Sequence, residues 1–444
     1  MKKILKYLAI ILIANLSFLF SPPPSEEALT KGYHTYFPLN SYMGITFNGD
    51  SYIFVDGAIH PSDLMNQNSF RQARAFYVMA GAALGNSIYY LTTPLHPAIH
   101  RYLKERNIFQ PGYRLSHAEE STKYFLFYIG YIVLNFIILL FALLLFEKII
   151  NALSGNWKNG RWLFAALLFM LASNQETRLF FWTPHQQLLN ILTPLLCIHT
   201  GMLILSRRIN FRKIWMMALV AGLLLLTYGN MLLILPVFLC SYLYIEKKQQ
   251  SRLAIASLLR ATMITIVFFL PMIIWIVWLK SAGVTFYNPE LEKYREFVWI
   301  TDALKSSEGS IFRVFLSHCY HYLLTFGSLI IPLLFLFIAY LIYKQKAEPS
   351  PSLRNRLNAL MPYTGRLLQF VLIETLIFFW LIGYYADRLT FSVVPVLFCY
   401  AALILNLQKL DKKTIYGLIL LIILYHFYNV FATPLHFSNP HFYA

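Results

Sequence analysis

Charge is scarce in this chain, and acidic charge most of all: only 13% of its 444 residues are charged, with 20 Asp and Glu against 37 Lys and Arg. A soluble domain normally displays roughly twice that density on its surface. Cysteine is scarce too. Cys197, Cys240, Cys319 and Cys399 lie in or beside apolar runs, at spacings that suit neither a disulfide framework nor a metal site, so they read as small buried hydrophobes. There is no Gly-rich phosphate loop, no Walker-type lysine motif, no HExxH and no zinc spacing. These absences argue against nucleotide-driven transport by this chain alone. No cofactor can be read, and a divalent metal is allowed but not indicated.

What the chain has instead is apolar length. It is 58% hydrophobic and 17% aromatic, with a mean hydropathy of +0.55. Hydrocarbon offers the backbone no hydrogen-bond partners, so spanning segments are helices or closed barrels, and continuous apolar runs, as opposed to alternating ones, select helices. The expectation is an all-α polytopic bundle of about eleven spans. They fall at Ile4 to Phe20, Tyr124 to Phe146, Trp162 to Ala172, Gln187 to Leu205, Ile214 to Thr227, Met231 to Tyr244, Thr262 to Leu279, Tyr322 to Tyr343, Leu367 to Tyr385, Leu389 to Leu407 and Thr414 to Phe431. Three are shorter than the roughly 20 residues of a straight crossing, and these are expected to stop part-way. The stretch from Ile214 to Tyr244 is too long for one span and carries TYGN at its middle, so it reads as two passes.

The net charge of +17 could suggest nucleic acid until the basic residues are located. Of the 37, 21 fall in MKKILK, the 147–161 segment, SRRINFRK, EKKQQSR, the 344–366 segment and QKLDKK. Alternate short loops hold few, which is the positive-inside pattern. No nucleic-acid partner is expected, only a lipid bilayer. The amino terminus is then cytoplasmic, and the first loop and the carboxyl terminus are extracytoplasmic. MKKILK before an apolar run also resembles a signal peptide, but SPPPSEE offers no small-x-small cleavage site, so 1–20 reads as a signal-anchor span. Residues 21–123 form a long outer loop with interfacial helices, one of them at Phe70 to Tyr90, and 124–444 form the bundle.

The non-repetitive polar residues gather on the outer side of this topology. Asp50, Asp56, His60, Arg71, Arg74, Glu176, Arg178, His185, Lys280, Asp387 and Arg388 all lie at or above one face. Guanidinium groups can neutralise a departing phosphate through a bidentate fork, and Arg71 and Arg74, three apart, would share a face of a helix. A carboxylate can take the proton of an acceptor hydroxyl, and Asp50 and Asp56 are the candidates. Glu374 stands apart, in the middle of LLQFVLIETLIFFW, where an ionised carboxylate is costly and proton- or cation-coupled transport or lipid flipping becomes the alternative. Asn135, Asn190, His426 and Asn429, also inside spans, read as interhelical hydrogen-bonding groups.

The loop GDSYIFVDGAIHP, followed by RQARAFYV, resembles the first-loop pattern of GT-C-fold integral membrane glycosyltransferases. That pattern is close to D-G-x-x-Y-x-x-I-A-x-x-P, then R-x-x-R-x-L-Y-P. Asp50, Ala58, Pro61, Arg71, Arg74 and Tyr77 match its positions, Phe54 places an aromatic where the pattern has Tyr, and Ser51, Gly57 and Val78 depart from its Gly, Ile and Pro. A second register places the Asp-Gly on Asp56-Gly57, and the distance to the arginines favours Asp50. YYADRLTFSVVPVLFCYAAL is similar to the late-span pattern of the same family at Arg388, Leu389 and Pro395. The resemblance implies sugar transfer from a polyprenyl-phosphate-linked donor to a glycan, lipid or protein acceptor on the outer face. In it Asp50 is the catalytic carboxylate, Arg71 and Arg74 lie near the donor phosphate, and the other outer-face residues shape the pocket.

The topology is testable without a substrate. Reporter fusions or cysteine labelling should place 21–123 outside and SRRINFRK, EKKQQSR and the 344–366 segment inside. A cytoplasmic first loop would overturn the outer-face site.

Overall fold

The computed structural model describes residues 2–31, 35–109, 121–154, 157–206, 210–250, 255–292, 294–305, 311–346, 364–432 and 434–435. Arg207, Arg208, Arg252 and most of the 344–366 segment lie outside the described residues. The chain is an all-α membrane bundle. The first segment gives α1 (Lys2–Ser17), α2 (Glu26–Lys31), an antiparallel pair β1 (Thr35–Pro38) and β2 (Gly44–Phe47), α3 (Gly49–Ile59), α4 (Ala75–Leu91) and α5 (His96–Glu105). Next come α6 (Ser121–Ser154), α7 (Gly160–Ala172), α8 (Gln175–Phe180), α9 (Leu189–Leu205), α10 (Phe211–Leu225), α11 (Ile234–Gln250) and α12 (Ile255–Ser281). Short α13 (Pro289–Glu292) and α14 (Trp299–Lys305) precede α15 (Ile311–Leu324) and α16 (Ile330–Lys346), and the chain closes with α17 (Thr364–Ile382), α18 (Asp387–Thr390), α19 (Val394–Asn406) and α20 (Lys412–Phe431).

Among the described residues, eight helical segments are long and apolar enough to cross a membrane. The other three expected spans are present as shorter apolar helices: Ile4–Phe20, Gly160–Ala172 and the 15-residue α10. TYGN does break the helix, with Tyr228 extended between α10 and a 3₁₀ turn at Gly229–Leu233. The span expected at Tyr322 to Tyr343 belongs to a longer, bent segment. There α15 and α16 meet at a 3₁₀ turn, Thr325–Leu329, where the Thr325 hydroxyl bonds the Tyr322 carbonyl and pairs with Thr390.

The ends of the bundle are chemically distinct. At one end Tyr7 donates to Glu147, Lys158 N–H donates to Asn406 at 2.7 Å, and Gln408 donates to the carbonyls of Ile342 and Tyr343 at 3.2 and 3.3 Å. Basic clusters flank these contacts. The opposite end holds α3, α8, the 283–305 segment and α18, which carry the polar residues described below. In-span polar groups tie helices together: Asn135 donates to three carbonyls, of Phe180, Phe181 and Thr183, and Asn230 donates to Asn190 at 2.6 Å. His426 bridges Ser17 and Ser173. Cys197 and Cys399 are buried as small hydrophobes, whereas Cys240 is exposed on α11. Glu374 sits on α17 near Cys197 and Cys240, with both carboxylate oxygens sealed and without a hydrogen-bond partner.

The helix expected to lie in the interface at Phe70 to Tyr90 differs. It starts at Ala75, after Arg71 and Arg74, and stands lengthwise along α6, antiparallel to it: Tyr77 bonds Asn135, Gly81 meets Tyr131, and Gly85 meets Phe127 and Gly130. Small residues permit that approach, since a Cβ on Gly130 would lie 2.8 Å from the backbone nitrogen of Gly85. At 34 residues, α6 is about 50 Å long, well beyond a hydrocarbon core of about 30 Å, and α4 packs on its first half, from Phe127 to Asn135.

A tighter contact joins α10 to α12, where a Cβ on Gly222 would fall 1.8 Å from the carbonyl oxygen of Phe268. Backbone cannot yield as a side chain does. Gly222→Ala should therefore destabilise the bundle by about 1–3 kcal/mol, read as a lower Tm in detergent. Gly417→Ala, on the exposed side of α20 with nothing within 4 Å, should be neutral or slightly stabilising.

Candidate functional site

The site is built from α3 outward. Asn48 caps α3, its Oδ1 accepting from the Ser51 N–H at 2.9 Å and the Ser51 hydroxyl at 2.7 Å. Asp50 is thereby fixed in the first helical turn, where an anion is favoured by the helix dipole. One turn on, Phe54 is fully buried and carries the Arg71 guanidinium 4.1 Å above its ring. It also packs edge-on against His185, with ring centroids 5.9 Å apart. Phe54 is thus a platform for two groups that converge on Asp50: Arg71 Nη2 donates to Oδ1 at 2.8 Å, and His185 Nε2 lies 3.3 Å from Oδ2.

The two contacts differ in kind. His185 is buried, and that burial lowers its pKa to about 4 despite the hydrogen bond and charge of Asp50. Its ring is neutral at pH 7, and its Nδ1 accepts from the Gln187 N–H at 3.2 Å. The proton therefore resides on Nε2 and is donated to Asp50. Desolvation in the recess would raise the Asp50 carboxyl, but Arg71, then His185 and Arg74, outweigh it and hold the carboxyl well below the usual range. Arg71 is 5% exposed at its side chain and Asp50 42%, so an ionised carboxylate is presented to solvent on a rigid cationic support.

Around this pair lie cations and carboxylates from distant segments. Arg71 and Arg74 do not share a helix face: Arg71 precedes a 3₁₀ turn, Gln72–Arg74, which Arg74 closes, and Arg74 pairs with Glu290 while Arg71 pairs with Asp50. Arg388 reaches Asp50 electrostatically, donates to the Tyr384 hydroxyl at 3.1 Å, and has its carbonyl held by Gln187 and Asn190 at 3.2 and 2.8 Å. The Nε–H groups of Arg71 and Arg388 are buried without an acceptor. Glu176, 2% exposed and placed by the Asn174–Thr177 capping box of α8, lies near Arg388 and Asp387. Desolvation raises its pKa to about 8, with Arg388 opposing and Asp387 assisting.

Other outer-face residues take different places. Asp56 lies six positions along α3 from Asp50, on another side, where it acts on Tyr124. His60 ends α3 ahead of Pro61. Arg178 is buried and donates to Ser21 at 3.1 Å, pinning the exit of α1 to α8. Lys280 is exposed on the last turn of α12. The structure brings to the cluster two carboxylates that sequence reasoning passed over, Glu290 and Glu296, together with Tyr228, Tyr294 and Tyr384. Nothing local separates them from exposed Glu292.

Among the described residues no three His, Cys, Asp or Glu side chains converge as metal ligands, and the cations gathered here are Arg71, paired with Asp50, Arg74, paired with Glu290, and Arg388. Ser328 Oγ lies 3.5 Å from the Asp387 carbonyl, and one turn further along α16, at Ile331, begins an apolar crevice. Met170, Phe335, Leu421, Ile422 and Tyr425 line it. No protein-family model matches this chain, and no curated protein and no solved structure matches it significantly.

Glu176 yields a pH dependence. Its pKa is raised from 4.5 unfolded to about 8 folded, so the folded chain retains a proton that the unfolded chain releases. Its contribution to stability is complete below the unfolded value and is lost as pH rises through the folded one. Glu176→Gln should therefore lose less Tm than the parent chain between about pH 6 and about pH 9, by a few degrees in thermal unfolding. Equal losses would place the charge of Glu176 in solvent.

Proposed function

We propose that this chain is a membrane glycosyltransferase that moves a sugar from a polyprenyl-phosphate-linked donor to an acceptor at the extracytoplasmic face. The observation that carries the reading is a half-exposed carboxylate, Asp50, held ionised by Arg71 with Arg74 and Arg388 in electrostatic reach, at one end of a membrane-helix bundle. Sugar transfer from a phosphate leaving group develops positive charge at the sugar carbon and negative charge on the phosphate. A fixed carboxylate beside guanidinium groups serves both. The apolar crevice that begins at Ile331, one turn along the chain from Ser328, suits a prenyl tail, which loses about 0.8 kcal/mol per CH₂ on leaving hydrocarbon. The GT-C-like first-loop pattern falls on the residues that meet, Asp50 and Arg71, and Phe54 at its aromatic position is the platform beneath them.

A second reading, proton- or cation-coupled transport or lipid flipping, rests on Glu374, whose sealed carboxyl inside a span has no partner to offset an ionised charge. One experiment separates the two. Purified protein in nanodiscs is given a panel of radiolabelled polyprenyl-phosphate sugars with a mixed glycan and lipid acceptor extract. Sugar transfer should fall by about 10²–10⁴ in Asp50→Asn and Arg71→Ala while Glu374→Gln stays near the parent rate. If the parent transfers no sugar and Glu374→Gln, but not Asp50→Asn, abolishes proton-coupled uptake or lipid flipping in proteoliposomes, transport becomes the function.

A further inference from the structure

The segment from Gly283 to Lys305 crosses the polar end of the bundle as a strap sewn down on both sides. On the first-loop side, Gln67 donates to the Gly283 carbonyl at 2.9 Å, the Tyr287 N–H donates to Gln72 at 2.7 Å, and Glu290 pairs with Arg74. On the late side, the Phe297 N–H donates to the Ile382 carbonyl at 3.0 Å and Trp299 Nε1 to the Leu381 carbonyl at 2.9 Å. Trp299 also stacks on His318, with ring centroids 3.9 Å apart, and fills the space over Gly383, where a Cβ would fall 2.4 Å from its Cδ1. Between the two seams the chain folds back on itself. The Tyr294 N–H donates to the Pro289 carbonyl at 3.1 Å, and the Glu296 N–H to the Glu290 carbonyl at 3.0 Å.

Two aromatic pairs are built into this strap, and each leaves one ring exposed. Phe70 meets Tyr287 edge to face, with centroids 5.9 Å apart, and is 38% exposed. Tyr294 meets Tyr384 edge to face at 5.6 Å and is 39% exposed. Such pairing holds an exposed ring in one orientation. Ionic groups border both rings. Phe70 precedes Arg71, the partner of Asp50, and Glu290, between Tyr287 and Tyr294 along the strap, pairs with Arg74. Behind Tyr294, the Tyr384 hydroxyl accepts from Arg388 at 3.1 Å, the Arg388 carbonyl accepts from Gln187 at 3.2 Å, and the Gln187 N–H bonds His185, whose other ring nitrogen lies 3.3 Å from Asp50. The Tyr294 ring is thus fixed by direct contacts to the same framework that positions Asp50.

We infer that the Tyr294 ring, carried on the strap against Tyr384, is a stacking subsite for a sugar residue of a glycan acceptor. A pyranose is amphipathic in the way this surface is. Its face of C–H groups packs on an aromatic ring, while its hydroxyls radiate outward and need charged or polar partners at the edge, the type of group that Glu290 and Arg388 supply on either side of the ring. An extended peptide would need backbone partners, and the strap N–H groups of Tyr287, Tyr294, Glu296 and Phe297 are already bonded within the protein. The role of this contact as an acceptor subsite rests on the glycosyl-transfer reading and narrows its acceptor to a glycan.

Binding and turnover test the contact and that reading separately. Saturation-transfer difference NMR is recorded on the full-length protein in nanodiscs, without donor, with cellotriose, mannotriose and triacetylchitotriose as probes. At least one probe should receive saturation on the C–H protons of one ring face. Tyr294→Ala should weaken that binding about tenfold, whereas Tyr294→Phe and Tyr294→Trp should stay within about twofold of the parent. Tyr294→Leu, which keeps apolar area without a flat ring, should behave as Tyr294→Ala does. Tyr416→Ala, on the exposed side of α20, should match the parent. In transfer from the radiolabelled donor panel, Tyr294→Ala should raise the KM for the glycan acceptor about tenfold with kcat little changed. No saturation of any probe by the parent overturns the subsite, as does binding that survives in Tyr294→Ala or Tyr294→Leu. Transfer by the parent with an acceptor KM that Tyr294→Ala does not move overturns the subsite alone. Probe binding that depends on Tyr294, with no transfer from any donor, supports the glycan contact and overturns the glycosyltransferase reading.

Discussion

Everything at the polar end of this bundle is arranged around the ion pair between Asp50 and Arg71. A half-exposed carboxylate at 2.8 Å from an almost fully buried guanidinium is asymmetric: Arg71 has surrendered its water, so it depends on Asp50 and on the face of Phe54 for compensation. Both supports come from one short helix. Asn48 fixes the register of α3, Asp50 follows in its first turn, and Phe54 one turn later lies under the guanidinium. The neutral His185 completes the arrangement from the entrance to α9, and its tautomer is set by the Gln187 amide. Three distant stretches of chain are thus registered against one another by groups whose partners are all short-range and directional.

The bundle itself was legible in the sequence because hydrocarbon imposes a single solution. Apolar runs must become helices, and every expected span has a helix beneath it, down to the TYGN break. Where the reading slipped, tertiary contacts had overridden length and composition. Phe70 to Tyr90 reads as an interfacial helix because counting it as a span would invert every later loop, and Gly81, Gly85 and Gly130 let it stand lengthwise against α6, with Arg71 and Arg74 at the turn before it. The break between α15 and α16 is a 3₁₀ turn at which Thr325 pairs with Thr390, 65 residues away.

The site was legible only in its first half. Asp50, Arg71 and Arg74 share a loop, so their spacing carries information, and the structure does join Asp50 to Arg71. Arg388 and Glu176 could be placed on the same face by topology alone. Glu290 and Glu296 could not, because nothing within FYNPELEKYREFVW distinguishes them from Glu292. Their position is decided by seams at Gln72 and Ile382, one on each side of the strap. Arg178 shows the converse: a guanidinium at the expected face is consumed in holding Ser21, a structural task that residue type cannot reveal.

Charge bookkeeping across the cluster bears on how any anion could enter it. Arg71, Arg74 and Arg388 supply three positive charges, and the carboxylates of Asp50 and Glu290 offset two of them directly through ion pairs. Glu176 and Glu296, both with pKa raised to about 8 by desolvation, contribute little negative charge at neutral pH. Asp387, beside Glu176, adds a further carboxylate, so the cations and carboxylates of the resting site are close to balanced, and Arg74 is already paired with Glu290. Asp50 and Arg71 are held by Phe54, Asn48 and His185 and have no freedom to part cheaply. Glu290 is carried on the strap, fixed chiefly by hydrogen bonds at its seams. That one ion pair, Arg74 with Glu290, therefore ties the 283–305 segment to the first loop a few residues from the Arg71–Asp50 pair.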